Sequence, residues 1–186
     1  NQNVFEMDFE NAFAIDAPPY ILRYNIRNTG SIYECAVERT NLGHDTVANN
    51  IVGVYPEIHN YGKPSQAVKA LSLIVNRLTQ KEFVPAESIV IVSDTSYENS
   101  ILAGEQRIGA YNIVFKHYKD VSENEICFKT AEEFKGLESN VVIYLTHEFT
   151  NLPSSTIDNR KEYVAITRAR YYLYVLNTKC RATIGD

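Results

Sequence analysis

Two short stretches, "IVIVS" (Ile89–Ser93) and "NVVIYLTH" (residues 140–147), constrain the fold more than anything else in the chain. Successive side chains of a strand point to opposite faces, so an unbroken apolar run is apolar on both. Such strands are stable only when both faces of their sheet are covered, which is the situation of a parallel sheet flanked by helices. A sheet with one face in water is excluded.

The remaining segments supply the covering layers. Prolines open "PPYILRYNIRNT", a β-branched and aromatic run read as a strand over residues 21–24, after which Asn28 or Thr29 can cap a helix through "GSIYECAVER". "TNLGHDTVANN" reads as a loop and "IVGVYPEI" as a short strand. From Ser65 onward, Val68, Leu71, Ile74, Val75 and Leu78 recur at helical spacing and define an amphipathic helix ending near "QKEF". A helix over "YENSILAGEQ", strands at "NIVF" and "EICFKT", a helix over residues 160–169 and a last strand "YYLYVLN" follow, with residues 152–159 as a polar loop. Alternating strands and helices predict a three-layer α/β domain with a mainly parallel sheet.

Composition bounds the rest. At 186 residues and 45% apolar content the chain can bury one full core, and one domain spanning residues 1–186 is expected, stable as a monomer. Cys35, Cys127 and Cys180 are widely spaced and odd in number, which suggests neither a disulfide framework nor a zinc site. No apolar run approaches the roughly 18 residues of a membrane span and no signal segment opens the chain, so a cytoplasmic protein without membrane contact is expected. A net charge of −5 argues against holding nucleic acid by bulk electrostatics, though a local groove is compatible with it. The opening "NQNVFEMDFE" lacks a methionine and reads like the interior of a longer polypeptide.

Chemistry concentrates in three places. In "NRKEYVAITRAR", a helix at about 100° per residue projects Arg168 between Val164 and Ala165, and Arg170 between Ile166 and Tyr163. Arg170 in a last turn is accounted for by the helix dipole and nearby water. Arg168 is not, because a packed guanidinium needs an anion, either a structural carboxylate or a ligand phosphate. "TAEEFKGLE" is a polar link between two core strands in which Gly136 permits a turn beside Lys135 and Glu138. Arg27 in "NIRNT" follows a strand and precedes a helix cap.

Taken together, these stretches resemble the second, C-terminal RecA-like domain of superfamily 1 helicases of the UvrD/Rep type. "LRYNIRNTGSI" is similar to motif IV (near residues 20–32), "FKTAEEFKGLESNVVIYL" to motif V (near 128–146) and "EYVAITRARYYLYVL" to motif VI (near 159–176). The resemblance implies a RecA-like, P-loop NTPase-like fold that lacks its own P-loop. No G-x-x-x-x-G-K-[ST] run or acidic Walker B strand is present, and in the family these lie in a preceding N-terminal domain that holds ATP and Mg²⁺. It further implies Arg168 and Arg27 as contacts to the ATP γ-phosphate, Glu138 as a ribose acceptor, Gly136 as a nucleotide-side residue that lets the backbone approach, Lys135 as either a phosphate contact on that side or a structural partner of Glu138, and Thr130 as a contact to a single-strand backbone. The implied partners are that N-terminal domain and single-stranded or partly duplex DNA, with RNA not distinguished. Departures are Glu132, Asp94 and Ser96, acidic or short where relatives carry groups suited to nucleic acid. A module that keeps the fold without motor activity is the alternative.

Overall fold

The computed structural model describes residues 24–149 and 159–180. Their strands are β1 (Glu57–Tyr61), β2 (Ile89–Ser93), β3 (Arg107–Ile108), β4 (Tyr111–Val114), β5 (Glu125–Thr130), β6 (Ser139–Phe149) and β7 (Ala169–Cys180). They form one seven-stranded sheet in the order β1-β7-β6-β2-β5-β4-β3, parallel throughout except for the terminal β3–β4 hairpin. The apolar runs sit at its centre, Ile89 to Ser93 opposite Val141 to Leu145 on one side, and Val90 to Ser93 opposite Cys127 to Thr130 on the other.

Alternation along these strands divides the core in two. Ile89, Ile91, Ile143, Leu145 and Leu176 meet Leu71, Ile74, Val75 and Leu78 of helix α2 (Pro64–Gln80). Val90, Val92, Val142, Tyr144, Leu173 and Val175 face the opposite way, against Ile32, Cys35 and Ala36 of α1 (Gly30–Thr40) and Tyr163, Ala165 and Ile166 of α3 (Asn159–Ile166). Fully burying one such aliphatic side chain favours folding by about 1.5–3 kcal/mol, so both layers are needed to hold the central strands. This is the three-layer α/β, RecA-like architecture expected from the sequence. A partly buried ion pair ties the second layer together: Arg39 of α1 meets the buried Glu162 of α3 at 2.6 Å and also donates to Asn177 of β7 at 3.3 Å.

Three local expectations change, and a fourth is not reached by the described residues. The strand over residues 21–24 falls largely outside the described residues, and Tyr24 makes only an isolated parallel bridge to Val47. β1 begins at Glu57, because the upstream carbonyls of Ile51 and Val52 are engaged elsewhere, accepting from the amides of Gly30 and Ser31 at 2.6 and 3.0 Å and so closing the start of α1. Gly53 (φ +76°) makes the sharp turn after them. The expected helix over "YENSILAGEQ" is a single 3₁₀ turn, Tyr97–Asn99. There the Ser100 hydroxyl donates to the Tyr97 carbonyl (2.8 Å) and accepts from the Leu102 amide (3.1 Å), competing with helical bonding, and Gly104 (φ +82°) ends the segment. The helix expected over residues 160–169 stops at Ile166. Thr167 returns its amide and hydroxyl to the Tyr163 carbonyl, the Arg168 amide tightens onto Ala165, and Ala169 is already paired with Ser139. Arg168 therefore lies in a turn and Arg170 in β7, not in a helix.

Candidate functional site at the amino edge of the sheet

All three arginine- and glutamate-bearing stretches meet at the amino ends of the parallel strands. The first is positioned by asparagines. Asn25 Oδ1 accepts from the amides of Arg27 (3.0 Å) and Asn28 (3.3 Å), an Asx turn that aims the loop. The buried Asn28 amide then donates to the carbonyls of Thr167 (3.0 Å) and Ala169 (2.5 Å), fastening that loop to the turn that carries Arg168. Asn28 is thus a brace and not a helix cap; Thr29 is the capping residue by position, but its side chain makes no capping bond. Glu138 arrives directly before β6, where the Ser139 amide donates to the Arg168 carbonyl at 3.0 Å.

Glu138 bridges two cations: Arg27 Nε lies 3.4 Å from its Oε2 and Arg170 Nη1 lies 3.6 Å from its Oε1, with all three side chains about two-fifths exposed. They line a cleft of about 660 Å³ together with Asn25, Tyr33 and Tyr163. Tyr33 donates its hydroxyl to the Thr46 carbonyl at 2.8 Å, and burial raises the pKa of both tyrosines.

For Arg168 the structural-carboxylate reading does not hold among the described residues. The residue is 0% exposed, yet no carboxylate of the described residues lies within ion-pair distance. Its guanidinium donates to the carbonyls of Val164 (3.1 Å) and Leu137 (3.4 Å) and to the Thr167 hydroxyl (3.2 Å). Burial, reinforced by the Arg27 charge and opposed by Glu138, lowers its pKa to about 10, so it stays charged at neutral pH. It stands behind the cleft wall rather than in it.

Thr130 does not join this group. It ends β5 at the carboxyl edge, where its amide and hydroxyl bond Glu133 Oε2 at 2.9 and 3.3 Å while the Glu133 amide donates back to its hydroxyl at 3.2 Å. Residues 131–138 recross the sheet as turns, with Phe134 buried and Lys135 and Gly136 exposed. Gly136 takes φ +86°, and a Cβ there would meet nothing within 4 Å, so the backbone dihedral and not a close approach calls for glycine. At the carboxyl edge both acidic departures are engaged: Glu132 pairs with Lys161, and Asp94 accepts from the His147 amide (2.9 Å) and lies 2.7 Å from its Nδ1. Among the described residues no group of three metal-ligating side chains comes together, and no helix is long and apolar enough to cross a membrane.

Sequence reasoning missed Asn25, Asn28 and Arg170 as parts of this site. The asparagines act on distant carbonyls, which leaves no periodic trace; the alternation of β7 would have separated Arg170 from a helix dipole.

No family model and none of the curated proteins match the chain. Among solved structures it is similar to the C-terminal domain of a possible DNA helicase from Lactobacillus plantarum WCFS1, with a TM-score of 0.58 at 13% identity over 86% of this chain and 91% of that one. An arterivirus nonstructural protein 10 (helicase) also aligns, with a TM-score of 0.36 at 15% identity over 83% of this chain and 25% of that one. At such identity the first likeness speaks for the fold and the second carries no weight; the chain has an α/β, RecA-like fold similar to that C-terminal domain of a possible DNA helicase.

Proposed function

We propose that the chain is the C-terminal motor domain of an ATP-dependent DNA helicase or translocase of the UvrD/Rep type. The observation that carries this reading is the convergence of Arg27, Glu138 and the Arg168 turn, drawn from three separate stretches, beside one cleft. In this reading an N-terminal RecA-like domain of the same polypeptide supplies the P-loop, and ATP with its Mg²⁺ lies between the two domains. The exposed guanidinium of Arg27 suits the phosphate end of that ligand, and Glu138 suits a ribose hydroxyl. Lys135 and Gly136, in the turn that leads to Glu138, would act on the nucleotide side of the same site. Arg168 reaches the γ-phosphate by a side-chain rotation, since its carbonyl is fixed to β6. Charge on the phosphoryl oxygens would then be met by guanidiniums in a water-poor cleft, where such stabilisation is strongest. Thr130, at the opposite edge, would meet a strand phosphate in this reading, exchanging its Glu133 bond for it.

The test is ATP turnover by the full-length protein, with and without single-stranded DNA. DNA-stimulated turnover that falls by roughly 10³-fold in Arg168→Ala and falls also in Arg27→Ala is expected. Absence of turnover in the wild type would favour the second reading, an interaction module that kept the fold, for which the burial of Arg168 on carbonyls is the motivating observation.

A further inference from the structure

The cation that faces the cleft together with Arg27 is Arg170, not Arg168. Arg170 is carried by β7, with its guanidinium 5.4 Å over the ring of Tyr171 and its Nη1 3.6 Å from Glu138. Its backbone is set by the central sheet and its head group is partly positioned by an aromatic face, so little freedom is lost when it takes up a ligand. Arg27, on the Asx turn, stands on the other side of the same carboxylate.

We propose that Arg27 and Arg170 together form a polyphosphate-binding pair, with Glu138 as an exchangeable counter-ion that a phosphate displaces. The proposal rests on the motor reading for the identity of the ligand, and adds to it a residue and a mechanism of capture. The two contacts to Glu138 are long and solvent-accessible, a kind of ion pair that contributes little. Two guanidiniums share one carboxylate here, and the buried, charged Arg168 stands behind them, so a positive excess remains. A phosphate group brings more charge than a carboxylate and more acceptors for the planar guanidinium fork. Tyr33, which also lines the cleft, feels the negative charge of Asp45, so an anion is favoured on the Arg27–Arg170 side rather than beside the Tyr33 hydroxyl. Glu138, once released from the guanidiniums, is free to accept a hydroxyl of the same ligand.

The experiment is equilibrium titration of this chain with inorganic triphosphate at low salt, which removes ribose, base and the partner domain from the measurement. Arg170→Gln and Arg27→Gln should each weaken binding about tenfold, the scale of losing one charge-assisted contact. Glu138→Gln should strengthen it by removing the competing anion, and Lys69→Gln on α2 should leave it unchanged. Binding that falls with Arg27→Gln but not with Arg170→Gln overturns the pairing and leaves the motor reading standing. No binding by the wild-type chain, or binding that Lys69→Gln weakens equally, overturns the proposal outright. The motor reading is judged separately by DNA-stimulated ATP turnover, so the two fail in distinguishable ways.

Discussion

The Asn28 side-chain amide donates to the carbonyls of Thr167 and Ala169, at 3.0 and 2.5 Å, and so joins two loops far apart in the chain. The contact is buried and places Arg27 within reach of Glu138. Asn28→Ala should leave both carbonyls without this donor and lower stability by about 1–3 kcal/mol, measured by urea denaturation. Wild-type stability in this variant would mean that the brace is dispensable.

Arg168 is a buried cation without a carboxylate partner among the described residues, and its native pKa of about 10 lies below the ordinary 12.5, which makes its charge costly to hold. That difference corresponds to an upper bound of about 3 kcal/mol against the folded state at neutral pH. Arg168→Met, which keeps much of the volume and removes the charge, should therefore raise stability by about 1–3 kcal/mol, as apolar replacement of buried ionic groups can. If Arg168→Met instead lowers stability by more than about 1 kcal/mol, its carbonyl contacts outweigh the desolvation cost.

Arg27→Gln should be nearly silent in the same assay. Its pair with Glu138 is 3.4 Å long with both side chains about two-fifths exposed, a class worth less than about 1 kcal/mol. A thermal melt displaced well beyond that scale would give Arg27 a structural role.

Glu162 gives a pH signature. Burial raises its carboxyl above the ordinary 4.5, against the lowering effect of Arg39. The native state keeps a proton that the unfolded chain has released, so the group's stabilisation is complete below 4.5 and declines as pH rises through the raised native value. Glu162→Gln cannot ionise, so the stability gap between wild type and variant should shrink from pH 4.5 towards neutrality in urea titrations. A gap that widens with pH would show the ion pair with Arg39 dominating burial.

The central sheet was legible because "IVIVS" and "NVVIYLTH" are apolar on both faces, and α2 because its apolar residues keep one helical stripe. Elsewhere side chains and loop carbonyls overrode local pattern. Ser100 captured an amide that a helix would have used, and the Ile51 and Val52 carbonyls went to α1 instead of a strand ladder. The convergence of Arg27 and Glu138 followed the order of the motif-like stretches, whereas the separation of Thr130 to the opposite edge depends on strand direction. Arg170 was misplaced for a related reason: helical periodicity was carried past Ile166, where the Thr167 hydroxyl and the start of the β7 ladder end it.

The closure of α1 by Ile51 and Val52 bears on how this region can change over evolutionary time. Helix starts often hold anions through backbone amides, which no point substitution removes. Here two of the leading amides, those of Gly30 and Ser31, are already spent within the chain. If an anion binds at this edge as proposed, its recognition falls chiefly to replaceable side chains, and single codon changes at Arg27, Glu138 or Arg170 would retune its strength without disturbing the fold that presents it.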